Sequence, residues 1–125
     1  MNFEITTDIL KGRVALVTGA SRGNGAAIAR GLAKHGAVVA VTDILDDGAA
    51  AIAKEIVEAG GTAIWRHLNV VDAEECNRVA ADVSDHLGDI SILINNAGVV
   101  TREAIGGQGF QEGWRRVLDL SLIHI

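Results

Sequence analysis

The 125-residue sequence contains no tyrosine and no proline, a single cysteine, and only two tryptophans and two phenylalanines. Without tyrosine there is no phenol to serve as a general acid or base. With Cys76 alone, no intramolecular disulfide can form, which fits a reducing compartment. No uncharged apolar run approaches the ~18 residues that a membrane span needs. The N-terminus carries Glu4 and Asp8 where a secretory signal would be basic and then apolar. Positive charge is short as well: 11 basic residues face 16 acidic ones, for a net charge of −5. That excludes the clustered positive field that nucleic-acid phosphates demand. A soluble cytoplasmic protein, with neither nucleic acid nor membrane as partner, is expected.

Nearly half of the residues are apolar, enough for the core of one domain, and they fall in two alternating patterns. Short β-branched runs occupy Val14–Thr18, Ala37–Asp43, Thr62–Leu68 and Ile90–Asn95. Between them, apolar residues recur with the helical period: Gly25, Ile28, Ala29, Leu32 and Ala33; then Ala49, Ile52, Ala53 and Ile56; then Cys76, Val79, Ala80, Val83 and Leu87. Gly36, Gly60-Gly61 and Gly88 follow the three helical stretches, where a glycine commonly ends a helix. Asp72, ahead of Ala73-Glu74-Glu75, predicts a side-chain cap and a negative first turn. Near-continuous apolar strands separated by helices imply parallel strands buried on both faces. The fold class is therefore α/β, a doubly wound parallel sheet of Rossmann type. A further helix is predicted to begin near Phe110, with Phe110, Trp114, Val117 and Leu118 as its apolar face.

The junction after the first strand carries the chemistry. Val17-Thr18-Gly19-Ala20-Ser21-Arg22-Gly23-Asn24-Gly25 spaces its glycines as Gly-x-x-x-Gly-x-Gly. Placed between a strand and a helix, such glycines let the backbone approach a diphosphate, while the helix N-terminus offers unpaired N–H groups and a positive dipole end. The spacing differs from Gly-x-Gly-x-x-Gly, although the mechanics are shared. No Gly-Lys-Ser/Thr follows, so a kinase-type phosphate loop is excluded.

Thr18-Gly19-x-x-x-Gly23-x-Gly25, with Asn95-Asn96-Ala97-Gly98 at the end of the fourth strand, resembles the paired signatures of the short-chain dehydrogenase/reductase family, including its 3-oxoacyl-carrier-protein reductases. The resemblance runs over residues 10 to 119. It implies an NAD(P)-dependent oxidoreductase that interconverts an alcohol and a carbonyl by hydride transfer, with Gly19, Ser21, Arg22, Gly23, Asn24 and Gly25 at the cofactor phosphates. Asn24 departs from the family, which usually has Ile or Leu there. Asp43, ending the second strand, can accept hydrogen bonds from both ribose hydroxyls and repels a 2′-phosphate. Arg22 pulls toward a 2′-phosphate. In the family the acid usually decides, so NAD is preferred and NADP is possible. Asn69 and Val70 stand where the family contacts adenine; an Asn there can equally satisfy the backbone of a turn. Asn96, Ala97 and Gly98 are expected under the adenosine ribose, although Asn95 and Asn96 can also tie neighbouring strands together.

In the family a Tyr-x-x-x-Lys motif and a serine perform catalysis, and they lie beyond this sequence. The chain is therefore read as an N-terminal portion, predicted inactive, that supplies cofactor binding alone, and no catalytic residue is assigned. Residues 1–119 are taken as an incomplete dinucleotide-binding domain. Leu120-Ser121-Leu122-Ile123-His124-Ile125 is the translation of a transposase mosaic end used in DNA libraries, so residues 120–125 are expected to be adapter read-through. The parent is expected to act on a small-molecule alcohol or carbonyl and to form a homo-oligomer, a tetramer by family analogy.

Other polar groups are expected to be chemically idle. His35, His67, His86 and His124 lack metal-ligand spacing and read as surface or helix-end residues. Glu74, Glu75 and the acids after Asp43 read as solvated helix starts, and Trp65 and Trp114 as packing residues. As the last strand of the sheet, the fourth is expected to leave its apolar faces and one edge uncovered. Two other functions remain open on the residues alone: a non-catalytic nucleotide-binding module and a Rossmann-like methyltransferase.

Overall fold

A computed structural model of the chain describes residues 9–96. Strands and helices alternate as β1 (Val14–Thr18), α1 (Gly23–Lys34), β2 (Val38–Asp43), α2 (Asp46–Glu58), β3 (Thr62–His67), α3 (Ala73–Leu87) and β4 (Ile90–Asn95). All four strands are parallel, in the order β3-β2-β1-β4. The alternation and the parallel sheet agree with the sequence reading. The ends shift by a residue, β2 starting at Val38 and β3 stopping at His67.

The order explains the layers. The chain steps outward from β1 to β2 to β3, then returns past β1 to β4. Right-handed crossovers in opposite directions put α1 and α2 on one face and α3 on the other. Alternate residues of β1 serve the two cores: Val14 and Leu16 pack with Val79, Ala80 and Val83 of α3, whereas Ala15 and Val17 pack with Ala29 of α1 and Ile52 and Ile56 of α2. Each large apolar side chain buried this way contributes roughly 1.5–3 kcal/mol. The three helices run into Gly36, Gly60 and Gly88, all with positive φ. Asp72 caps α3 by accepting from the Glu75 amide at 3.1 Å, with Glu74 and Glu75 in the first turn, as predicted.

Three expectations are corrected. Ile90, Ile92, Leu93 and Ile94 of β4 are buried, because α3 and the helices of the opposite layer already cover both faces of that strand; only the expected open edge agrees, since β4 ends the sheet among the described residues. Trp65 is exposed rather than packed: its neighbours Ala63 and Ile64 on β3 pack against the two cores, and Trp65 belongs to neither. Glu75 is not a solvated helix start: its side chain is only 20 % exposed and accepts from the Asn69 amide at 2.7 Å. The helix expected from Phe110, with Trp114, and the segment 120–125 lie outside the described residues. No helix among the described residues is long and apolar enough to cross a membrane.

Candidate functional site

In a doubly wound sheet the binding crevice lies at the carboxyl ends of the strands, where the order reverses. Here that point falls between β1 and its two neighbours, β2 and β4. The loop after β1 turns at Gly19 (φ +60°) and again at Gly23 (φ +59°), left-handed conformations that other residues rarely adopt. Helix α1 then starts with Arg22 as N-cap, with no side-chain cap and no acid in its first turn. The contrast with α3, which has both, is informative. The leading N–H groups of α1 and its positive dipole end are left for an anion.

The loop is held from three sides. Gly25 sits so close to the Gly19 carbonyl that a Cβ there would lie 2.1 Å from its oxygen and 2.8 Å from Asn96 Nδ2. From β2, the Thr42 hydroxyl donates to the Val17 carbonyl at 2.7 Å, and the Thr42 carbonyl accepts from the Ala20 amide at 3.0 Å. From β4, Asn96 Nδ2 donates to the Gly19 carbonyl at 3.2 Å, and the Thr18 hydroxyl donates to Asn95 Oδ1 at 3.1 Å. Both asparagines thus tie the end of β4 to the end of β1. The third side is α2. A Cβ at Gly48 would lie 2.6 Å from the Ser21 Cβ, so this glycine lets the first turns of α2 rest on the loop.

Asp43 ends β2 with only 9 % of its surface exposed. Its Oδ2 accepts from the Ser21 amide and its Oδ1 from the Leu45 amide, each at 3.0 Å. Burial pushes the carboxyl upward, but the Leu45 amide, the neighbouring Ser21 side chain and amide, and the Ile44 amide outweigh it. The acid is held below its ordinary value and is ionised at neutral pH. Each oxygen keeps a second lone pair for a further donor. The Ser21 side chain is buried beside the Asp43 carboxylate, whose charge it helps to hold. Arg22 and Asn24 are exposed, and Arg22 forms no ion pair with a described residue.

Gly19, Ser21, Arg22, Gly23, Asn24, Gly25, Asp43 and Asn96 are therefore gathered at the carboxyl ends of β1, β2 and β4. Asn69 and Val70 stand further along, after β3. Asn69 Oδ1 accepts from the Val71 amide at 3.2 Å, which is the turn-forming role its residue type allows. The Val70 side chain is buried in the α3 core, and its carbonyl accepts from Cys76 Sγ at 3.6 Å. Ala97 and Gly98 lie outside the described residues. Sequence reasoning missed Gly48 and the carboxylate of Glu75; a glycine inside an otherwise good helix, which costs about 1 kcal/mol, was the available signal for the first.

Other features lie away from the crevice. A cavity of about 650 Å³ opens at the opposite edge of the sheet, lined by Arg30, Lys34, Glu55, Ile56 and Gly60. The Cys76 thiol is buried and pushed up to about 12, which keeps it protonated. Among the described residues no group of three or more His, Cys, Asp or Glu side chains is arranged to hold a metal ion.

The sequence and the fold match proteins already characterised. Residues 13–124 match the family model for short chain dehydrogenases. A trans-4-hydroxycyclohexanecarboxylate dehydrogenase of Sinomonas cyclohexanicum is 36 % identical over 93 % of this chain and 47 % of its own length. A 3-oxoacyl-[acyl-carrier-protein] reductase of Vibrio harveyi is 41 % identical over 93 % of this chain and 46 % of its own. The chain thus spans about half the length of the curated relatives it matches. Among solved structures, a Serratia marcescens short-chain dehydrogenase/reductase superposes with a TM-score of 0.79 at 31 % identity, covering 90 % of this chain and 52 % of that one. A Haemophilus influenza protein solved with bound NAD superposes with a TM-score of 0.72 at 30 % identity, covering 80 % of this chain and 36 % of that one.

Proposed function

The chain belongs to the short chain dehydrogenase family, and on that premise we propose that it binds NAD at the carboxyl ends of β1, β2 and β4. The observation that carries the reading is the uncapped, acid-free start of α1, which opens at the left-handed Gly23 after a loop that turns at the left-handed Gly19 and is tied to the ionised acid at the end of β2. The α1 amides of Gly23, Asn24 and Gly25 receive the diphosphate. Asp43 accepts from the adenosine ribose hydroxyls through its remaining lone pairs. Asn69, Val70, Asn96, Ala97 and Gly98 complete the adenosine end.

A 2′-phosphate would bring two further negative charges beside the Asp43 carboxylate. Exposed Arg22 offsets part of that repulsion and does not remove it, so NAD is preferred and NADP binds more weakly. The whole protein is proposed to interconvert a small alcohol and its carbonyl, the bound nicotinamide exchanging the hydride. Because these 125 residues contain no tyrosine, the chain itself supplies cofactor binding without turnover. A homo-oligomeric, cytoplasmic parent completes the proposal.

Titration calorimetry with NAD and with S-adenosylmethionine tests this. Binding of NAD supports the reading, and binding of S-adenosylmethionine alone would overturn it. A second reading, nucleotide binding with no catalytic role, is permitted by the lack of tyrosine in these residues. Assaying a protein of the relatives' full length for NAD reduction against a panel of alcohols separates the two.

A further inference from the structure

His67 is the last residue of β3, paired in register with Asp43 of β2. Its ring stands between two helix starts. Nδ1 lies 2.6 Å from Asp46 Oδ1 in the first turn of α2, and Nε2 lies 3.8 Å from Glu75 Oε1 in the first turn of α3. The same Glu75 oxygen accepts from the Asn69 amide at 2.7 Å. One residue before Asp46, the Leu45 amide donates to Asp43. The imidazole therefore links the two segments proposed to meet the adenosine: the turn after β2 and the turn after β3.

We propose that His67 is a positioning residue that ties the first turns of α2 and α3 together across the adenosine end of the site, and that dinucleotide affinity follows its protonation. The inference rests on the NAD-binding reading above. When protonated, the ring attracts both carboxylates at once; when neutral, it retains only the hydrogen bond to Asp46. Three carboxylates among the described residues act on it: Asp46 from α2, Glu75 from α3 and Asp43 from β2. The hydrogen bond to Asp46 comes first in lifting the imidazole above its ordinary value; desolvation opposes it, and the charges of Asp46, Glu75 and Asp43 add to it.

The sign follows. A raised value in the folded chain means that the tie is complete below about pH 6.5 and is lost as pH rises through the raised value. If bound NAD holds Asn69 and the α2 start in place, it also holds the carboxylates against the ring. NAD binding then favours the protonated form, and by reciprocity protonation favours NAD. His67 is half-exposed, so the effect is modest, about two- to fivefold, the scale of one solvent-accessible ion pair.

The test measures NAD dissociation constants at about pH 6 and about pH 8.5 for the full chain, for His67→Asn and for His86→Asn. His86 pairs with Asp82 within α3 and makes no contact with the proposed site. Proton NMR follows the His67 ring over the same range with and without NAD. The expected result is binding two- to fivefold tighter at the lower pH in the parent and in His86→Asn. His67→Asn should bind equally at both, with the parent's weaker affinity, and NAD should move the His67 midpoint upward. Equal pH dependence in His67→Asn, or a midpoint that NAD leaves unmoved or lowers, would overturn the proposal while leaving NAD binding intact. No NAD binding at either pH would instead overturn the dinucleotide reading, and the proposal with it.

Discussion

The Ser21 amide donates to Asp43 Oδ2 at 3.0 Å, so the glycine loop after β1 and the end of β2 are fastened to each other. The residue proposed to choose the cofactor also shapes the loop proposed to hold the phosphates. Replacing Asp43 with Asn should therefore do two things. NAD affinity should fall about tenfold or more, the scale of one hydrogen bond to a charged group, and the preference over NADP should narrow. Calorimetric titration of both dinucleotides into Asp43→Asn checks this.

The same acid has a signature in stability. Its carboxyl is held below the ordinary 3.8, so its contribution is present above that value and lost as pH falls through the lowered one. Urea denaturation of the parent and of Asp43→Asn should show a gap at about pH 7 that closes at about pH 2. A gap that widens in acid would contradict the assignment.

Two glycines of α1 should respond in opposite directions to alanine. At Gly25 the new methyl would press on the Gly19 carbonyl oxygen, which is backbone and cannot give way. Gly25→Ala should lose about 1–3 kcal/mol and its NAD binding. At Gly31 a methyl meets nothing within 4 Å. Gly31→Ala should gain about 0.5–1 kcal/mol with NAD binding unchanged. Denaturant midpoints together with calorimetry test the pair.

Gly48 separates stability from binding. Alanine there improves helix propensity by about 1 kcal/mol, and it also pushes on the Ser21 Cβ. Gly48→Ala should stay within about 1 kcal/mol of the parent in urea and bind NAD more weakly, since the strain falls on the loop.

Cys76, fully buried with its thiol pushed up to about 12, should react with a disulfide reagent only when the chain opens. Its labelling rate should rise with urea in step with unfolding. Fast labelling in buffer alone would show α3 to be less firmly docked than described.

Much of this was legible beforehand, for identifiable reasons. The strands of Val14–Thr18 and Ile90–Asn95 could be read because buried parallel strands are continuous apolar runs between glycines. Gly19, Gly25 and Asp43 could be read because strand-loop-helix order fixes their surroundings. What escaped reading depends on contacts between distant segments. Nothing local to Gly48 reveals that Ser21, 27 positions earlier, lies against it. His67 and Glu75 look like surface polar residues until the sheet sets β3 beside β2 and brings two helix starts together. Trp65 misled for the same reason: an aromatic in a strand is a core residue only where another layer covers that part of the sheet.

The most direct measurement is the pair of dissociation constants for NAD and NADP with the unmodified chain at about pH 7. NAD binding several-fold tighter than NADP is the expected result, with Asp43 excluding the extra phosphate. NADP binding as tightly or more tightly would show that Arg22 decides instead, and binding of neither would contradict the dinucleotide site itself.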